Sequence, residues 1–174
     1  MKNALIYGLG KSGVSSAKLL MKQGYRVFLY DGKQNLSHEV CQLAKQGAIL
    51  LDDLLDDLIN KLSLTVVSPG VSVFNNDIQR LKQKTKVIGE ADLGFFNCRG
   101  QVVAVTGTNG KTTTTELTCH LLRACGVAAE VCGNIGRPLS DLAADTKDCE
   151  VAVIEVSSFQ LEKISEFSPL AAVI

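Results

Sequence analysis

Short apolar runs, each bounded by glycine or a polar cluster, recur along the chain: ALIYG (4–8), RVFLYD (26–31), AILL (48–51), LTVVSPG (64–70), KVIG (86–89), QVVAVTG (101–107), VAAEV (127–131), EVAVIEVSS (150–158) and LAAVI (170–174). Runs of this length, apolar at successive positions, predict strands buried on both faces. Stretches with helical spacing lie between several of them, and that alternation predicts parallel α/β units. From Lys11 onward, Gly13, Ala17, Leu20, Met21 and Gly24 fall near one face, predicting a helix that lies close on a sheet and ends at Gly24. The chain reads as two such units in tandem, separated by ADLGFFNCRG (91–100), with Gly100 punctuating the start of a new strand. The second unit offers only about 75 residues, few for a sheet covered on both faces. SPLAAVI (168–174) reads as a strand entering a core, so the expectation is a chain that stops within its second domain.

Composition narrows the function classes. Among 174 residues, 46% are hydrophobic, ample for a packed core, and 18 Lys+Arg balance 18 Asp+Glu. No summed field draws such a chain to nucleic acid or an anionic membrane, so any anion must be held locally. No apolar run reaches the roughly 20 residues of a membrane span, and the amino-terminal segment has glycines where a signal peptide needs an unbroken apolar stretch. The expected location is the cytoplasm. Cys41, Cys98, Cys119, Cys125, Cys132 and Cys149 form no CxxC pair, and neither His38 nor His120 stands at metal-ligand spacing from one of them, so buried reduced thiols are expected. LDDLLDDLINKL (51–62) sets Asp52, Asp53, Asp56 and Asp57 among leucines at helical spacing, which predicts a helix with a solvated acidic face.

The chemistry lies in the loops. GLGKSG places Gly8, Gly10 and Gly13 between a strand and a helix, with Asp31 ending the next strand. Glycines permit a tight turn and close backbone approach, and the N–H groups of the helix start attract a phosphate or diphosphate. A turn that only packs helix on strand is the other reading of this motif. Asp31 either accepts bonds from a ribose or sugar hydroxyl or caps the following turn. TGTNGKTTT (106–114) is more specific. Gly107 and Gly110 let backbone N–H groups wrap phosphate oxygens, Lys111 brings a point charge, and the Thr112 hydroxyl can ligate magnesium. The loop departs from GxxxxGK[ST], because Val105 stands at the first glycine position. Glu155 lies inside a strand run and needs a cation or hydrogen-bond partner there; a magnesium ion or a salt bridge to Arg or Lys would serve. Ser68, Pro69 and Gly70 end a strand at the sheet edge where ligands of open α/β sheets bind, and CGNIGRP (132–138) is a further glycine loop offering the Asn134 amide.

Taken in order, GLGKSG, SPG, TGTNGKTTT, GNIG and EVSSFQLE resemble the Mur ligases over nearly the whole chain, most closely the branch that adds D-glutamate. VSSFQLE is the most discriminating piece, and the shortened phosphate loop suits this family better than a general P-loop. Folylpolyglutamate synthase, a relative, shares the ATP loop without beginning on a nucleotide-sugar domain. The branch that adds L-alanine usually has histidine where this chain has Asn109. The resemblance implies a Rossmann-like UDP-substrate domain over residues 1–93, then over 94–174 the first part of a P-loop ATP-binding domain with a mostly parallel sheet. It implies an ATP-dependent ligase of peptidoglycan synthesis that joins D-glutamate to UDP-N-acetylmuramoyl-L-alanine through an acyl phosphate, with ATP and Mg2+ bound.

The same resemblance assigns residues. Gly10, Lys11, Ser12, Asp31, Gly32 and the Ser68, Pro69, Gly70 turn align with the uridine-diphosphate site; relatives often carry a hydroxyl residue where this chain has Gly32. Gly107, Thr108, Asn109, Gly110, Lys111, Thr112 and Thr113 align with the ATP loop. Thr112 and Glu155 align with magnesium ligands, Lys111 and Glu155 with catalytic positions, and Asn134 and Ser157 with positions near substrate and metal. The modified lysine, the substrate-contacting histidine and the amino-acid-recognition domain of the family are expected beyond Ile174. Two further readings are an NAD-dependent oxidoreductase built on GLGKSG and Asp31, which leaves the second loop without a use, and a non-catalytic nucleotide switch.

Overall fold

The computed structural model describes residues 1–32, 37–145, 149–164 and 166–174. Its contacts divide the chain into two units, Met1–Glu90 and Ala91–Ile174. All nine apolar runs of the sequence contain strands.

In the first unit β1 (Asn3–Tyr7), β2 (Arg26–Tyr30), β3 (Ile49–Leu50), β4 (Leu64–Val67) and β5 (Lys86–Gly89) form one sheet in the order β3-β2-β1-β4-β5. Every pairing is parallel. Between them run α1 (Lys11–Lys22), α2 (His38–Lys45), α3 (Asp56–Ile59) and α4 (Asn76–Lys82). The order reverses at β1, which lies between β2 and β4, so the loops leaving these strands diverge and open a crevice at their carboxyl ends. One side of the sheet packs Leu5, Phe28 and Val67 against Leu54, Ile59, Ile78 and Leu81. Each such side chain contributes about 1.5–3 kcal/mol by leaving water. Gly24, at φ +79°, follows α1 in the left-handed conformation that favours glycine.

The second unit begins with α5 (Glu90–Asn97), whose first residue belongs to the first unit, and contains β6 (Gln101–Val105), α6 (Lys111–Ala124), β7 (Ala129–Gly133), α7 (Leu139–Ala144), β8 (Val151–Glu155), α8 (Ser158–Leu161) and β9 (Ala171–Val173). Its strands form a second parallel sheet, β7-β8-β6-β9. Alternation along the strands sends Val102, Ala104, Ala152 and Ile154 toward Leu139 and Leu142 of α7. Val105, Val151 and Val153 face Cys119 and Leu122 of α6 on the other side.

Several local expectations need correction. ADLGFFNCRG is not an open separator: most of it is α5, and Gly94 lies so close to Leu139 that a β-carbon would fall within 2.7 Å of its side chain and backbone. Gly100 does precede β6, and a β-carbon there would collide with the Cys149 carbonyl. The acidic run forms only the four-residue α3, not a continuous helix. Its aspartates are nonetheless exposed, and Asp56 pairs with Arg80 at 2.8 Å. β7 starts two residues later than the run VAAEV. Cys119 and Cys132 are buried as expected, whereas Cys98 and Cys149 are half-buried and Cys41 and Cys125 exposed. Burial pushes the thiols of Cys98, Cys119 and Cys149 up, which keeps them protonated and unreactive. Among the described residues no group of three or more His, Cys, Asp or Glu is placed to hold a metal, and no helix is long and apolar enough to cross a membrane.

Candidate functional site

Register brings the candidate residues of the first unit together. Tyr7 at the end of β1 stands level with Tyr30 of β2 and Val67 of β4. Gly8, Asp31 and Ser68 therefore leave the sheet side by side. The Gly8 N–H donates to the Tyr30 carbonyl, the Ser68 N–H to the Tyr7 carbonyl, and the Ser68 hydroxyl to the Gly8 carbonyl at 2.6 Å. Gly8 has φ +93°, and a β-carbon there would lie 2.8 Å from Ser68 Cβ. One on Gly13 would overlap the Gly8 carbonyl oxygen. These two glycines are packing glycines.

Gly10, Gly32 and Gly70 differ from them. None has the positive φ that favours glycine, and a β-carbon on any of the three would meet nothing within 4 Å. Neither local sterics nor backbone strain requires glycine at these places, which lie after β1, β2 and β4 on the carboxyl side of the sheet. Gly10 is also the N-cap of α1 and offers no side-chain cap bond, unlike Ser37 before α2 or Asn75 before α4. Lys11 and Ser12 form the first turn of α1, where exposed N–H groups and the helix dipole favour an anion.

Asp31 takes a position that the sequence did not suggest. Its Oδ2 accepts the Leu9 N–H at 2.7 Å, tying the end of β2 to the glycine loop. The turn after Gly32 lies outside the described residues. Below this edge Tyr7 donates its hydroxyl to Asp77 Oδ2 at 2.9 Å, and its ring meets that of Tyr30 edge to face. Burial, then the Asp77 carboxylate, pushes the Tyr7 phenol far above its ordinary range. Burial and nearby carboxylates also raise Tyr30. Both hydroxyls stay neutral at physiological pH.

In the second unit the loop after β6 carries Gly107 at φ +131° and Gly110 at φ +78°. Gly110 is the N-cap of α6 and, like Gly10, makes no side-chain cap bond. Lys111 Nζ reaches back across the loop to the carbonyls of Gly107 (2.8 Å) and Thr108 (3.1 Å). Thr108 and Asn109 are exposed in the loop, and Thr112 and Thr113 in the first turn of α6.

β8 lies beside β6 with Glu155 level with Val105, so its carboxylate arrives next to the loop that follows β6. Glu155 is only 2% exposed, in keeping with its place inside an apolar strand run. Its Oε2 accepts the Thr112 hydroxyl at 2.7 Å and its Oε1 the Asn134 amide at 2.9 Å. Two hydrogen bonds from neutral donors, with no ion pair to Arg or Lys among the described residues, thus satisfy the buried carboxylate. Gly133 pairs with Glu155 in register at φ +96°, and a β-carbon there would press on the Glu155 backbone. Ser157 caps α8: its hydroxyl accepts the Gln160 N–H, and its own backbone N–H donates to Gln160 Oε1 at 2.9 Å, completing a capping box. Arg137, also in the Asn134 loop, is paired with Asp145 at 3.0 Å and Glu130 at 3.8 Å and has a structural part.

The sequence marked Glu155 and Asn134 separately but not their bond. A buried strand carboxylate demands donors, and an amide in a glycine-flanked loop is such a donor; β7 and β8 being neighbours in register is what joins them.

Chemically, the first unit offers an uncapped helix start beside Gly10, Gly32 and Gly70, where no side chain stands, suited to a diphosphate with a sugar or base against it. The second offers an uncapped helix start, a lysine, and a hydroxyl and carboxylate 2.7 Å apart. That oxygen pair fits magnesium, which is commonly bound through one or two carboxylates together with phosphate oxygens and water.

Comparison with known proteins bears on both units. The Mur ligase MurD-like N-terminal domain matches residues 2–89, and the Mur ligase middle domain matches residues 105–174. The UDP-N-acetylmuramoylalanine--D-glutamate ligase of Alkaliphilus metalliredigens is 41% identical over 174 residues, covering 97% of this chain and 38% of that protein. The enzyme of the same name from Lachnoclostridium phytofermentans is 37% identical over 97% of the chain and 38% of its own length. The chain thus spans about two fifths of the length of these relatives. Among solved structures, a pseudomurein peptide ligase type C from Methanothermus fervidus aligns with TM-score 0.50 and 26% identity over 91% of this chain and 33% of its own. The UDP-N-acetylmuramate-alanine ligase MurC of Thermotoga maritima aligns at 0.52 with 20% identity, over 90% of this chain and 37% of its own, a likeness of fold.

Proposed function

The chain belongs to the Mur ligase family, and from that premise we propose that it carries the UDP-substrate site and the ATP site of a cytoplasmic ligase that adds D-glutamate to UDP-N-acetylmuramoyl-L-alanine. The observation that carries this reading is the pair of uncapped, glycine-led helix starts at the carboxyl edges of two separate parallel sheets, only one of which has a Lys-Thr pair beside a buried carboxylate. A single-nucleotide oxidoreductase has no use for the second of them.

The reaction class is carboxylate activation followed by amine attack. A carboxylate oxygen of the sugar peptide bonds to the terminal phosphorus of ATP as ADP departs; the amine nitrogen of D-glutamate then displaces inorganic phosphate from the acyl carbon and loses a proton. The electrostatic obstacle is an anion approaching a polyanion. Lys111 and the N–H groups at the start of α6 offset that repulsion. Thr112 and Glu155 would hold Mg2+, which when bound supplies further positive charge at the phosphates. Gly107 through Thr113 form the wall against ATP. Gly10, Lys11 and Ser12 would hold the diphosphate of the UDP substrate, with Gly32 and the Ser68, Pro69, Gly70 turn allowing close backbone approach. Asp31 holds the loop by its bond to Leu9, at the edge that takes the nucleoside on this reading. Asn134 and Ser157 contribute further substrate contacts on this reading, and residues 1–93 and 94–174 serve as the UDP-substrate and ATP-binding domains.

The test uses a polypeptide of the relatives' full length that includes these residues. Phosphate release that requires both a UDP-muramoyl peptide and an amino acid, with D-glutamate the preferred one, is expected. ATP hydrolysis indifferent to the sugar nucleotide would refute the proposal.

A further inference from the structure

We propose that Asn134 is a positioning residue that sets the ion preference of the second unit, by occupying one oxygen of Glu155 so that the site favours magnesium over calcium. The two oxygens of this carboxylate are not equivalent. Oε2 faces Thr112, whose hydroxyl hydrogen it accepts, and that hydroxyl oxygen keeps lone pairs for a cation. Oε1 is taken by the Asn134 Nδ2–H at 2.9 Å.

Asn134 is held there by more than its side chain. Its backbone N–H donates to the Glu155 carbonyl at 2.9 Å. Gly133 before it pairs level with Glu155, at a φ of +96° and at a separation too small for a β-carbon. The residue that receives the amide thus also fixes the backbone that delivers it.

A carboxylate held this way presents a single oxygen toward the phosphate loop. Magnesium demands near-ideal octahedral geometry, accepts single oxygens readily and keeps several waters. Calcium takes six to eight oxygens and commonly grips a carboxylate by both. For calcium to do so here, the Asn134 bond must break and leave an amide without its acceptor, whereas a one-oxygen contact leaves it intact. The discrimination therefore resides in a hydrogen bond outside the ion's own shell, where substitutions typically change metal affinity by about 10–100-fold.

This inference rests on the reading of the second loop as a magnesium–ATP site, and the experiment separates the two. The 174-residue chain is titrated with the β,γ-imido analogue of ATP in magnesium and, separately, in calcium, and heats of binding give an affinity for each. The wild type is expected to prefer magnesium. Asn134→Ala, at a position without positive φ, should shrink the magnesium-to-calcium affinity ratio about tenfold, with a lower melting temperature in the absence of nucleotide because Glu155 Oε1 loses its donor. Asn134→Ser, too short to reach Oε1, should behave alike and serves if the alanine variant fails to fold. A folded variant with an unchanged ratio, or with equal losses for both ions, overturns the role of Asn134. A wild type that binds the analogue equally well without either ion overturns the underlying site reading, and the inference with it.

Discussion

Replacing Lys111 with alanine is expected to lower turnover of the full-length ligase by roughly 10²-fold or more, the scale of losing one oxyanion donor. This corresponds to about 2.7 kcal/mol of transition-state stabilisation. The ammonium sits in the loop after β6, bonded to the carbonyls of Gly107 and Thr108. On the proposed function its charge would act on phosphate oxygens as negative charge shifts toward the departing ADP. The fold should survive, because α6 is anchored on the sheet by Cys119 and Leu122, not by Lys111. Lys111→Arg should restore little, since a planar fork does not replace a compact point charge within a loop wrapped around it. Steady-state kinetics beside a thermal melt check this; near-normal turnover with unchanged ATP affinity would contradict the role.

The second large effect is one of stability. Gly13→Ala should destabilise the first unit by about 3 kcal/mol or more, the sum of an overpacked contact and a strained buried hydrogen bond. The added methyl would overlap the Gly8 carbonyl oxygen and lie 2.9 Å from Ser68 Oγ, the same two groups that share the 2.6 Å bond. Backbone, not a flexible side chain, must move. Gly10→Ala is the contrast: its β-carbon meets nothing within 4 Å and its φ is −72°. It should shift stability by no more than about 0.5 kcal/mol while weakening UDP binding. Urea unfolding of both variants reads the difference. A Gly13→Ala midpoint equal to that of wild type would show that α1 and the loop are not locked together.

These two glycines show how far the sequence carries. GLGKSG was open to a packing reading and a ligand reading, and in the structure packing applies to Gly8 and Gly13 while Gly10 is left over. Strand positions followed directly from the apolar runs, because a strand buried on both faces must be apolar throughout. Their lateral order did not, since it depends on how the crossovers pack. That order places Gly8 beside Asp31 and Ser68, and Glu155 beside both Thr112 and Asn134. The acidic run misled because leucine spacing alone cannot show where the chain turns; Leu54 and Ile59 are buried, but Leu55 is exposed and only Asp56–Ile59 is helical. ADLGFFNCRG, expected as a separator punctuated by Gly100, is mostly helix, and it is the close contact with Leu139 that requires glycine at Gly94.

The central claim, two sites for two different nucleotides on one chain, is tested most directly by calorimetric titration of the 174-residue chain with UDP, magnesium–ATP and NAD. One UDP and one ATP are expected to bind per chain, each with its heat unchanged when the other is saturating, and NAD is expected to give no heat. Competition of UDP and ATP for a single site, or tight NAD binding without UDP binding, would contradict it.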